Sequence, residues 1–128
     1  MSYYFSTTLN MPFDEAIAHV TGELKKEDFG VLTEIDVKAT LKAKLDADFR
    51  EYRILGACNP PFAYRALQAE DKIGTMLPCN VIVQELQEGV VEVAAVDPIA
   101  SMQAIRNPNL GEVAVQVQEK LKRVVEGL

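Results

Sequence analysis

Cys79-Asn80-Val81-Ile82-Val83-Gln84-Glu85-Leu86, then Gln87-Glu88-Gly89, then Val90-Val91-Glu92-Val93-Ala94-Ala95-Val96 is the stretch that decides the fold. Two runs rich in Val flank a short turn that ends in Gly. That pattern predicts a β-hairpin with arms 79–86 and 90–96. A hairpin is an antiparallel pair, so a purely parallel sheet is excluded.

On the C-terminal side, Asp97-Pro98 opens a short helix or turn through Met102, and Asn107-Pro108-Asn109 breaks the chain. A long helix is predicted from about Leu110 to Glu126, with Leu110, Val113, Val117, Leu121 and Val124 on its buried stripe. On the N-terminal side, Ile73 to Pro78 reads as a loop. Asn59-Pro60-Pro61 reads as a helix start, with Asn59 as the N-cap, Pro60 as the first helical residue and the helix reaching about Glu70. Residues 49–58 alternate as a strand, Tyr52, Ile54, Gly56 and Cys58 pointing one way and Arg53, Leu55 and Ala57 the other.

Further upstream, residues 2–8 read as a strand. Pro12, Asp14 and Glu15 open a helix whose apolar face is Phe13, Ile17, Val20 and Leu24, with Gly30 as its left-handed stop. Val31 to Ile35 follows as a strand with Val31, Thr33 and Ile35 on one face. Asp36 caps a shorter helix carrying Val37, Leu41 and Leu45. The order is β-α-β-α-β-α-β-β-α. Strands and helices are interspersed, yet an antiparallel pair is present, so the class is α+β: a mostly antiparallel sheet with helices on one face. The other face is left for a partner subunit or a ligand.

The chain has 128 residues, 48% hydrophobic and 25% charged. That size suits a single domain, here 1–128, able to bury a core without disulfide or metal staples. The net charge is −6, which argues against nucleic acid as a partner. Lys38, Lys42 and Lys44 are read as a solvated face. The first residues lack a basic, then long apolar, leader pattern, and no apolar run is long enough to span a bilayer. A soluble cytoplasmic protein with no membrane association is expected. Phosphate loops, Gly-x-Ser-x-Gly and His-Glu-x-x-His are absent from the sequence, so standard nucleotide and metalloprotease chemistry is not expected.

Chemistry concentrates in two near-copies, Ala57-Cys58-Asn59-Pro60 and Leu77-Pro78-Cys79-Asn80, which hold both cysteines of the chain. They define a candidate site of Cys58, Asn59, Cys79 and Asn80. Three readings stand open: a small-molecule pocket, a thiol redox or copper(I) site on Cys58 and Cys79, and two packed turns in a structural or interaction protein. If the strands ending at Cys58 and beginning at Cys79 run antiparallel, both thiols lie at one edge of the sheet. Cys58 directly precedes a helix N-terminus, whose dipole is expected to favour its thiolate. Arg65 is a second possible source of positive charge. Zinc is disfavoured, because the chain has two Cys, one His and no Cys-x-x-Cys pair. His19 lies inside the first helix and is read as a surface residue; a Cys58-His19-Asn59 set matches too many sequences to carry weight. No resident cofactor is expected.

The runs Phe29-Gly30-Val31-Leu32-Thr33-Glu34-Ile35-Asp36-Val37, Tyr52-Arg53-Ile54-Leu55-Gly56-Ala57-Cys58-Asn59-Pro60 and Leu77-Pro78-Cys79-Asn80-Val81-Ile82-Val83 resemble the domain-of-unknown-function 302 family. The resemblance spans nearly the whole chain. It implies an α+β fold of TATA-binding-protein-like architecture with a curved antiparallel sheet, and it implies a homodimer. It carries no activity and no catalytic residue.

Overall fold

Local signals account for most of the secondary structure. The computed structural model describes residues 2–128. Strand β1 (Tyr4–Leu9) leads to helix α1 (Phe13–Lys26), strand β2 (Gly30–Asp36), helix α2 (Val37–Leu45) and strand β3 (Tyr52–Cys58). Helix α3 (Pro60–Ala69) and a short 3₁₀ turn (Asp71–Met76) precede the hairpin of β4 (Cys79–Gln87) and β5 (Val90–Val96). The chain ends with α4 (Pro98–Ser101) and α5 (Pro108–Glu126). Among the described residues no helix is long and apolar enough to cross a membrane.

The sheet is antiparallel throughout, in the order β1-β5-β4-β3-β2. The hairpin lies at its centre, and the N-terminal strand closes onto β5. Gly89 at the hairpin tip has φ +76°, a left-handed backbone that glycine adopts without Cβ strain.

One face of the sheet carries the core. Leu55, Val81, Val83, Val91 and Val93 are fully buried there, with Phe13, Val20 and Leu24 of α1 and Leu110, Val117 and Leu121 of α5 also in the core. Burying each of these side chains contributes about 1.5–3 kcal/mol relative to exposure. All five expected stripe residues of α5 are buried, joined by Ala114 and Val125. Asp36 caps α2 as predicted, its carboxylate accepting the Ala39 N–H at 2.9 Å. Asp97 likewise accepts the Ile99 N–H at 3.0 Å and caps α4.

Two expectations are corrected. The left-handed residue after α1 is Asp28 (φ 67°), not Gly30, which begins β2. The Asp28 and Phe29 N–H groups donate to Lys25 and Leu24 carbonyls, both at 3.0 Å, so buried Phe29 folds back onto the helix end. A short polar side chain tolerates this conformation. The second correction is in β2. The register shifts between Val31 and Thr33, so Val31 faces core-side Ala57 while Thr33 faces Gly56. Val31 and Thr33 therefore lie on opposite faces, because a bulge inverts the alternation. Helix α2 buries none of its residues, and Leu45 is exposed.

Glu27, at the end of α1, ties distant elements together. Its carboxylate accepts from Arg123 Nη2 at 3.0 Å and lies 3.6 Å from Lys120 Nζ, both on α5. The Arg123 guanidinium holds the Glu27 carboxyl below its ordinary range.

Among the glycines, Gly56 is the most closely packed. A Cβ there would collide with Thr33 Oγ1 and reach 2.7 Å from Pro78 Cγ. We predict that Gly56→Ala lowers stability by about 1–3 kcal/mol through overpacking. Urea unfolding checks it: the midpoint should fall with the slope unchanged.

Candidate functional site

The two Cys-Asn segments meet because β3 and β4 are antiparallel. Ala57 faces Cys79 and Gly56 faces Asn80 in the register. Cys58 ends β3 and Cys79 begins β4, so both thiols lie at the same end of the strand pair, and neither is in a disulfide. Cys58, Asn59 and Cys79 line one small cavity of about 30 Å³, walled by apolar groups that include Phe62, Met102 and Val117.

Asn80 does not join them. Successive side chains of a strand point to opposite faces. Cys79 faces the helices, and Asn80 emerges, exposed, on the open face of the sheet. The expected four-residue set is thus split three to one across the sheet. His19 is half-buried in the middle of α1 and is not among the residues lining the cavity. Arg65 sits over the Phe62 ring at 5.7 Å and 3.8 Å from Glu112, and Tyr64 is exposed.

Asn59 occupies the N-cap position of α3, but its side chain makes no capping bond. Its amide Nδ2 donates instead to the Glu27 carbonyl at 3.2 Å, and the residue is 5% exposed. Asn59 therefore fastens the β3–α3 junction to the end of α1. Pro60 and Pro61 contribute no N–H groups, so the first turn of α3 has fewer donors needing a cap.

The electrostatics reverse the expected activation of Cys58. Burial pushes its thiol up, not down. The desolvation of a thiolate outweighs the dipole of α3 at this position. Cys79 is more deeply buried, and its thiol is pushed up to about 11 by desolvation first and by the nearby Cys58 second. Both thiols are neutral at physiological pH, which removes the premise of an activated redox cysteine.

A second concavity lies across the sheet, on the face left for a partner subunit or a ligand. It measures about 400 Å³ and is lined by Tyr3, Tyr4, Tyr52, Ile82, Ala94 and Val96, with Asn80, Gln84 and Glu92 as polar groups. Gln84 is fixed on both sides: its Oε1 accepts from Arg50 Nε at 2.8 Å, and its Nε2 donates to Glu92 Oε1 at 2.8 Å. The signal for this hollow was the polar and aromatic alternation of Tyr52, Asn80, Gln84 and Glu92 on strands whose other face is apolar.

Two outcomes follow for the thiols. Iodoacetamide on folded protein should modify half-exposed Cys58 before Cys79, and Cys79 only when denaturant opens the fold; peptide mass reads the order. The fold keeps Cys79 protonated, so this stabilisation is complete below the ordinary thiol value of 9.0 and is lost as pH rises through about 11. The thermal midpoint should therefore fall more steeply across that window in the native chain than in Cys79→Ala.

The family model for the domain of unknown function DUF302 matches residues 5–128. The crystal structure of the uncharacterized conserved protein DUF302 from Bacillus stearothermophilus is similar over 98% of each chain, with a TM-score of 0.89 and 27% sequence identity. Comparison with curated proteins finds no significant match. The resemblance carried by the Phe29–Val37, Tyr52–Pro60 and Leu77–Val83 runs is a family relationship, and the chain belongs to the DUF302 family.

Proposed function

We propose that this protein is a small-molecule-binding module whose ligand lies in the hollow on the open face of the sheet, rimmed by Asn80. One observation carries this reading. The hollow combines ligand-sized volume, about 400 Å³, with aromatic and aliphatic walls and a few fixed polar groups. The small cavity beside the cysteines has no space for an organic molecule.

The lining defines the ligand class. Tyr4 and Tyr52 offer ring faces, and Ile82 and Val96 an apolar floor. The Asn80 amide presents both a donor and an acceptor. Glu92 places a carboxylate at one side and disfavours an anion. A compact neutral or cationic ring compound with a hydrogen-bonding edge fits best.

A homodimer belongs to the same proposal. Leu32 and Ile35 on edge strand β2 are 67% and 48% exposed, and Leu45 at the end of α2 is 69% exposed. An edge strand with exposed apolar side chains is a natural surface for a symmetric partner.

Native mass spectrometry of protein purified without added ligand reads both parts. We expect twice the 14.2 kDa chain mass plus a bound organic molecule, which Ala94→Phe should displace by filling the hollow. Protein that carries no added mass, and whose melting is unmoved by a panel of neutral and cationic ring compounds, overturns the ligand reading. A monomer mass at all micromolar concentrations overturns the dimer.

A further inference from the structure

Strand register gathers a row of side chains at one end of the open-face hollow. Tyr52 of β3 faces Gln84 of β4, and Gln84 faces Glu92 of β5. Their strand neighbours Val83, Val91 and Val93 are buried on the helix side, so alternation places Gln84 and Glu92 on the open face. Two hydrogen bonds agree with that placement. Arg50 Nε donates to Gln84 Oε1, and Gln84 Nε2 donates to Glu92 Oε1, each at 2.8 Å. A donor on one side and a carboxylate on the other fix the orientation of the Gln84 amide. Arg50 is held at the outer end of this chain, its guanidinium 4.4 Å from the Phe49 ring centroid and 5.6 Å from that of Tyr52. It is not among the residues lining the hollow.

Among the described residues, Glu92 is the one charged group lining the hollow, and it is in no ion pair. It is half-buried, and its hydrogen-bond partner Gln84 is neutral. The hollow therefore carries an uncompensated negative charge at one end. The next residue of β5 on the same face is Ala94, which pairs with Ile82 and forms a low apolar floor. Beyond it comes Val96, which pairs with Tyr4. Glu92 and Val96 are four residues apart, roughly 14 Å along the strand. The hollow thus runs from a carboxylate, over an apolar floor, to an aromatic wall.

We infer that the hollow selects an organic cation: a protonated amine on an aromatic or apolar body, its ammonium against Glu92 and its body over Ala94 and Ile82 toward Tyr4. This rests on the ligand reading above and narrows it to one class. An ammonium donates a charge-assisted hydrogen bond to the carboxylate, and the faces of tyrosine rings attract a cation. A neutral ligand would bury the carboxylate further without compensating it, and an anion would be repelled. Arg50 does not supply the missing counter-charge, because Gln84 stands between it and Glu92 and both ends of the Gln84 amide are engaged. Arg50 and Gln84 are positioning residues that hold Glu92 in place.

Chemical-shift titration of the isotope-labelled full chain at neutral pH tests this with three probes that share a phenylalkyl body: phenethylamine, phenethyl alcohol and hydrocinnamate. We expect the amine to bind roughly tenfold tighter than the alcohol or better, with the carboxylate weakest and the Gln84 and Asn80 side-chain amides shifting. Added salt should weaken the amine and leave the alcohol unchanged. Glu92→Gln, which keeps the side-chain size and can still bond Gln84, should bring the amine down to the affinity of the alcohol. Ala94→Phe should abolish binding of all three. Equal shifts of the hollow by the three probes, or a preference for the carboxylate, overturn the cation assignment and leave the ligand reading standing. An amine preference that survives in Glu92→Gln overturns the role of Glu92. Probes that shift no residue of the hollow overturn both readings. The comparison of head groups in the native chain decides the matter even if a variant fails to fold.

Discussion

The structure depends on a sheet packed from one side. Leu55, Val81, Val83, Val91 and Val93 project toward α1 and α5 and are sealed from solvent. Each lies between residues that project the other way, and register pairs them: Leu55 with Val81, Val81 with Ala95, Val83 with Val93. Shifting any of these strands by one residue would turn its whole inward set outward, a penalty that multiplies with every buried valine. This constraint sets the inventory of sites. The helix side is packed with apolar side chains and leaves a small cavity at its margin. The open side retains a hollow of about 400 Å³.

The same register explains why the cysteine segments converge and why they do not form a single pocket. Cys79 and Asn80 are neighbours in a strand, so alternation alone assigns them to opposite faces. That separation was legible in the sequence, and the similarity of the two segments obscured it. Cys58 is the last residue of β3 and Asn59 is the N-cap of α3, so the strand end and the helix start both border the small cavity. Thr33 and Pro78 crowd Gly56 so closely that the residue pairing with Asn80 can carry no side chain. The glycine that looked like part of an alternating strand is a spacer between the cavity and the hollow.

Features set by nearby residues were readable from the sequence. The hairpin, the stripe of α5 and the caps at Asp36 and Asp97 each follow from spacing or from a bond to a residue two or three positions away. Features set by distant partners were not. Asn59 was expected to cap its own helix, yet it bonds Glu27, 32 positions earlier in the chain. The bulge in β2 exists to match β3, and nothing within Gly30–Asp36 announces it. The direction of the Cys58 shift was missed for the same reason. A dipole can be inferred from Asn59-Pro60-Pro61, whereas desolvation depends on burial by elements distant in the chain.

Glu27 shows how the cavity is held in shape. Its backbone carbonyl receives Asn59 from the β3–α3 junction, and its carboxylate receives Arg123 from α5. One residue thus sets the distance between α3 and α5, both of which contribute cavity walls. The ion pair is largely screened by solvent and contributes little. The Asn59 bond matters more, because its loss would leave a carbonyl unpaired beside the core. The carboxyl is held below its ordinary range, so its stabilising effect is present at neutral pH and disappears as acid protonates it through that lowered value. Acid would then remove the Glu27–Arg123 tie between α1 and α5, while the Asn59 bond, which carries no titratable group, and the buried stripe of α5 remain.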